Sequence, residues 1–66
     1  MKVLTPKEKQ IFDLLIQNYN TKEIALSLGI SDKTVRNHIS NVLMKLGVKG
    51  RAQAVVELIR LNEIKL

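Results

Sequence analysis

The sequence predicts an all-α domain, a four-helix bundle with a helix-turn-helix at its centre. Two observations point there. Apolar residues recur at three- and four-residue spacing, and nowhere do four or more residues alternate between apolar and polar as a half-buried strand would. The apolar runs are also punctuated by helix-start and helix-stop residues. Thr5-Pro6, Asn20-Thr21 and Ser31 precede them, and Gly29 and Gly47 follow them.

Thr5-Pro6-Lys7-Glu8 opens the first helix. Threonine can cap, proline suits the first helical position, and glutamate three residues after the cap completes a capping box. Ile11, Phe12, Leu14, Leu15 and Ile16 give this helix an apolar face, and the polar run Asn18-Tyr19-Asn20 ends it, so it spans about residues 6–17. Asn20 or Thr21 caps a second helix, with Glu23 in its positive first turn and Ile24, Ala25 and Leu28 facing inward. Gly29 stops it, because glycine takes the left-handed conformation without a steric penalty, and Ser31 caps the next helix. That third helix, about residues 32–46, places Val35, Ile39, Val42, Leu43 and Leu46 on one face. Lys33, Asn37, Ser40 and Asn41 fall on the opposite face, with Arg36 on its flank. Gly47 ends it, and Val48-Lys49-Gly50 leads into a fourth helix over about residues 51–61.

With 66 residues the chain forms one small domain, residues 1–66. A core of that size contributes only about a few kcal/mol, so a partner chain would be a useful source of further stability. The absence of cysteine excludes a disulfide framework and a thiolate zinc site. No apolar run approaches the ~20 residues of a membrane span, and Met1-Lys2 is not followed by a signal-peptide core. A soluble cytoplasmic chain is the expectation.

Charge narrows the function. Eleven Lys and Arg against six Asp and Glu give a net charge of +5, which favours a polyanionic partner. Between Asp32 and Glu57 there is no acid, while Lys33, Arg36, Lys45, Lys49 and Arg51 all lie in that interval. A solvated basic face is the plain alternative, and charge alone does not separate the two.

Helix geometry does separate them. Two helices joined by a short glycine-containing turn cross steeply, so the second protrudes and can enter the major groove of DNA while the first meets the backbone. Lys33, Arg36, Asn37, Ser40 and Asn41 then stand where base edges are read. Arginine can pair with guanine and asparagine with adenine, each worth roughly 1–3 kcal/mol of discrimination. Thr21, Lys22, Thr34, Lys45, Lys49 and Arg51 lie at helix ends or flanks, where they would hold phosphates and fix register. His38, the only histidine, fits a structural or phosphate-contacting role better than metal binding, because no second ligand stands at metal spacing.

From Leu4 to about Ile59 the chain resembles the LuxR/NarL/GerE-type DNA-binding domain of bacterial transcription regulators. The resemblance rests on Leu4-Thr5-Pro6-Lys7-Glu8, Thr21-Lys22-Glu23-Ile24-Ala25, Ile30-Ser31, Lys33-Thr34-Val35-Arg36-Asn37-His38-Ile39, Lys45-Leu46-Gly47-Val48 and Arg51-Ala52-Gln53-Ala54-Val55. Arg36-Asn37-His38-Ile39-Ser40-Asn41 and Gly50-Arg51 are most similar to the short, stand-alone GerE-like regulators. The resemblance implies a winged-helix-like fold without the wing, dimerisation through the fourth helix, and base contacts at Arg36, Asn37 and Ser40. Ser40 departs from the family's frequent Lys or Arg, which weakens the third contact. Most relatives carry this domain behind a receiver or ligand-binding domain. Met1 directly before the domain favours a chain complete as it stands.

The fourth helix can be judged without the family. Ala52, Ala54, Val55, Val56, Leu58, Ile59 and Leu61 cover roughly 220° of its circumference, more than one core face requires. An isologous dimer seam built from Val56, Leu58, Leu61 and Ile64 would cover the excess; the alternative is a broad contact with the other helices plus ordinary surface apolar residues. In such a dimer the recognition helices would stand ~34 Å apart, one turn of DNA.

Phe12 and Tyr19 are too few for a base-stacking platform, and Glu8 and Glu23 are helix-start residues with no nucleophile beside them. The expectation is a sequence-specific regulator of transcription that is no enzyme, needs no cofactor, metal or small molecule, and acts on duplex DNA at the bacterial nucleoid. Activation would further require a patch that touches RNA polymerase, which no residue pattern marks. Two rivals stand beside this reading. A sigma-factor-type promoter-recognition domain shares the Leu4-Thr5-Pro6 opening but runs into an arginine-rich helix end rather than Lys45-Leu46-Gly47-Val48. A protein-interaction module, such as an anti-activator pairing through the fourth helix, would leave the basic stripe of the third without a use.

Overall fold

Helix α1, Pro6–Ile16, starts on a complete capping box. The Thr5 hydroxyl accepts from the Glu8 backbone N–H at 3.2 Å, and the Glu8 carboxylate accepts from the Thr5 N–H at 2.9 Å. The two residues thus satisfy each other's orphan donors. Helix α2, Thr21–Leu28, repeats the device with Asn20 and Glu23, which decides the cap between Asn20 and Thr21. Helix α3, Asp32–Leu46, is capped by Ser31, whose hydroxyl accepts from the Thr34 N–H at 3.0 Å. Helix α4, Arg51–Arg60, has only Gly50 at its cap position and no side-chain cap bond. The computed structural model describes residues 2–65; Met1, on which the expectation of a complete chain rests, lies outside the described residues, as does Leu66.

All four helices end on a left-handed residue followed by a hydrogen bond back into the last turn, a Schellman-type stop. Gly29 and Gly47 serve α2 and α3, both at φ 68°, while Asn18 (φ 74°) and Asn62 (φ 59°) serve α1 and α4. The Tyr19 N–H bonds Leu14 O at 3.1 Å and the Glu63 N–H bonds Leu58 O at 2.9 Å. Helices α1 and α4 each end one residue before the sequence expectation, at Ile16 and Arg60.

Helix α3 lies at the centre, packed against the other three. Ile11 and Phe12 of α1, Ile24 and Ala25 of α2, Val35, Ile39 and Val42 of α3, and Ala54 and Leu58 of α4 meet in one core, closed from the chain ends by Leu4 and Ile64. The expected all-α class and central helix-turn-helix are what the chain forms, and no strand occurs among the described residues.

Two residues assigned to a dimer seam belong elsewhere. Leu58 is 0% exposed and Ile64 2% exposed, both inside the protomer's own core. Leu58 lies one helical turn beyond Ala54 on the inward face of α4. Ile64 comes after the left-handed turn at Asn62, which ends the helix and sends the chain back over the core instead of prolonging an outer stripe.

Candidate nucleic-acid interface

Ser31 fixes the start of α3, and burial of Val35, Ile39 and Val42 fixes its rotation. The opposite face follows from these two constraints. Lys33, Arg36, Asn37, Ser40 and Asn41 are all exposed and form one stripe, because their spacing of three and four residues stacks them along a single side. Met44, 76% exposed, continues the stripe one turn further. Sequence reasoning passed over it, although the same spacing from Ser40 and Asn41 points to it.

The other predicted contacts divide into free and engaged groups. Lys22 at the start of α2, and Lys49 and Arg51 around the start of α4, are exposed. Among the described residues none of these cations, nor Lys33 or Arg36, makes an ion pair. Thr21, Thr34 and His38 are half-buried, and the Thr34 hydroxyl bonds that of Ser31 at 2.8 Å. Asp32 Oδ1 is buried in the first turn of α3 without a hydrogen-bond partner, at the helix end whose dipole favours negative charge.

Lys45, expected to hold a phosphate, is engaged within the protomer. Its Nζ donates to Glu8 Oε1 at 2.6 Å and to the carbonyl of Val3 at 3.2 Å, which turns the charge toward α1. The reason is Glu8, only 4% exposed and in need of a counter-charge. Burial pushes the Glu8 carboxyl up. Against it act the hydrogen bond from Lys45, that from the Thr5 N–H, the Lys45 charge and the Thr5 side chain, and together they hold it below its ordinary 4.5.

On α4 the exposed residues include Ala52 and Val56 (60% exposed), with Val55 and Ile59 half-buried, and Leu61 just past its end is 45% exposed. Ala52, Val55, Val56 and Ile59 share a flank at helical spacing, so an apolar stripe does remain beside the core face. No cluster of three metal-ligating residues occurs among the described residues, and none of their helices is long and apolar enough to cross a membrane.

Comparison with known proteins shows which family builds this arrangement. A profile of the family described as "Bacterial regulatory proteins, luxR family" matches residues 2–58. The chain belongs to the luxR family. It is 62% identical over 64 residues to the spore germination protein GerE of Bacillus subtilis (strain 168), covering 97% of this chain and 86% of that protein. It is 42% identical over 64 residues to the transcriptional regulatory protein DegU of Brevibacillus brevis, covering 97% of this chain but 27% of DegU. A solved structure of the transcription factor GerE matches with a TM-score of 0.95 at 55% identity, covering 98% of this chain and 97% of that one. The luxR-family chain is thus a DNA-binding regulator of transcription with a helix-turn-helix, and its relatives are regulators rather than enzymes.

Proposed function

We propose that this luxR-family chain binds duplex DNA sequence-specifically as a homodimer, with α3 in the major groove and α4 forming the seam. The observation that carries the reading is the stripe Lys33, Arg36, Asn37, Ser40 and Asn41, exposed, without an ion pair among the described residues, and set on a helix whose reverse side is locked in the core. Arg36 and Asn37 carry the donors that discriminate guanine and adenine, and Ser40 and Asn41 add weaker polar contacts. Lys22, Lys49 and Arg51 hold phosphates on either side, with Thr21, Thr34 and His38 close to the backbone; Lys45 has no part in this. The seam is the flank of Ala52, Val55, Val56 and Ile59, with Leu61 at its end, in place of Leu58 and Ile64. The protein would act at the nucleoid.

Selection of bound duplexes from a random pool at physiological salt tests this. Two related half-sites about one helical turn apart are the expected enrichment. Weak, salt-sensitive retention without a shared sequence would reduce α3 to a general phosphate binder and return the interaction-module reading.

A further inference from the structure

The segment that precedes α1 is held from two sides. Glu63 Oε1 accepts from the backbone N–H of Val3 at 3.0 Å and from that of Leu4 at 3.2 Å. Lys45 Nζ reaches the carbonyl of the same Val3 at 3.2 Å while pairing with Glu8, which also accepts from the Thr5 N–H. A continuous run of bonds therefore leads from Glu63, three residues past α4, through the backbone of residues 3–5, to Lys45 in the last turn of α3. Leu4 and Ile64 are buried beneath it.

The other junction of the same two helices is held more lightly. Helix α4 leaves α3 through residues 47–50, which contain Gly47 and Gly50; the Gln53 side chain accepts from the Lys49 N–H at 3.1 Å at the exposed surface, but Gly50 has no side chain to cap the helix. One exposed bond beside glycines resists pivoting less than the part-buried bonds at the far end. Ten helical residues span ~15 Å, so a tilt of about 10° at that loop would move the far end of α4 by roughly 2–3 Å. The bonds at Glu63 lie at this far end, where a tie restrains tilting most. One base pair is a step of ~3.4 Å, so a drift of that size in each protomer is enough to blur half-site spacing.

We propose that Glu63 and Lys45 are positioning residues for operator recognition. Acting through Val3 and Leu4, they fix the angle between α3 and α4 and thereby the separation of the two recognition helices. The inference rests on the dimeric reading given above.

The test measures affinity, at one fixed salt concentration, for the selected operator, for versions with one or two base pairs added or removed between half-sites, and for a single half-site. Each protein is compared with its own best duplex, and circular dichroism confirms helicity at the working temperature. The wild-type chain should lose about tenfold or more per base pair of altered spacing, and Glu63→Ala about threefold or less, with its single half-site affinity unchanged. Glu63→Gln, whose amide oxygen still accepts from Val3 and Leu4, should behave as wild type. Lys45→Met should flatten the spacing profile in the same way from the opposite end, and the double variant should flatten it no further. A Glu63→Ala protein that keeps the wild-type profile, or loses affinity equally for every duplex, overturns the inference. Should Glu63→Ala fail to fold, a wild-type profile for Lys45→Met overturns it equally. A wild-type chain indifferent to spacing refutes the dimeric reading itself, and the inference falls with it.

Discussion

Glu8 belongs at once to a helix cap and to an ion pair across the core, and both uses favour its charged form. Its carboxyl titrates below 4.5 in the fold, lower than in the unfolded chain. The pair therefore contributes stability that is complete above about pH 4.5 and is lost as pH falls through the lower folded value. Urea midpoints measured against pH should drop on that acid limb in the wild-type chain and drop less in Glu8→Gln, whose stability at neutral pH is already reduced. Asn62 offers a backbone test. A left-handed residue there is needed for Glu63 and Ile64 to turn back, so Asn62→Gly should be near neutral in thermal unfolding, while Asn62→Val should cost about 1–2 kcal/mol. On the DNA side, Arg36→Ala or Asn37→Ala should weaken operator binding by roughly 1–3 kcal/mol and relax choice at one base position. Lys22→Ala should leave sequence choice intact and reduce the slope of log affinity against log salt by about one.

Among the elements, α4 separates the core from the seam within a few residues. Leu58 is enclosed and Val56 is 60% exposed. Leu58→Ala should cost about 2–5 kcal/mol, most of what so small a domain has. Val56→Asp should remain helical and folded, but sediment as a monomer and bind the two-half-site operator more weakly. If Val56→Asp sediments and binds as wild type, α4 is not the seam. The sequence could not distinguish these two residues, because an apolar arc of roughly 220° says that two faces are covered without saying by what. On α2, Leu26 is 85% exposed and free of such duties, and Leu26→Gln should change stability by less than about 0.5 kcal/mol.

For the whole molecule, most of the fold was legible because its signals are local. A capping box spans four residues, a Schellman stop spans six, and a buried helical face repeats within two turns. Helix starts at Thr5 and Ser31 and stops at Gly29 and Gly47 stand where the sequence puts them, and of the two caps it left open for α2 the structure uses Asn20. Asn62 was the exception, since asparagine in a polar run is an ambiguous stop and glycine is not. The exposed stripe of α3 was legible for the same reason, being the complement of a face that had to be buried.

What the sequence alone determined, then, is what is set within one or two turns: four helices, the caps at Thr5 and Ser31, the inward faces of the first three, and the polar stripe Lys33 to Asn41 on the third. What only the tertiary structure decided joins residues far apart in the chain. Lys45 is paired with Glu8, 37 positions away, and Glu63 with the backbone of Val3 and Leu4, about 60 positions away, while Ile64 is returned to the core. Periodicity carries no record of such pairs. A side chain goes where its burial and its partner lower the free energy together, and that partner is known only once the chain has closed on itself.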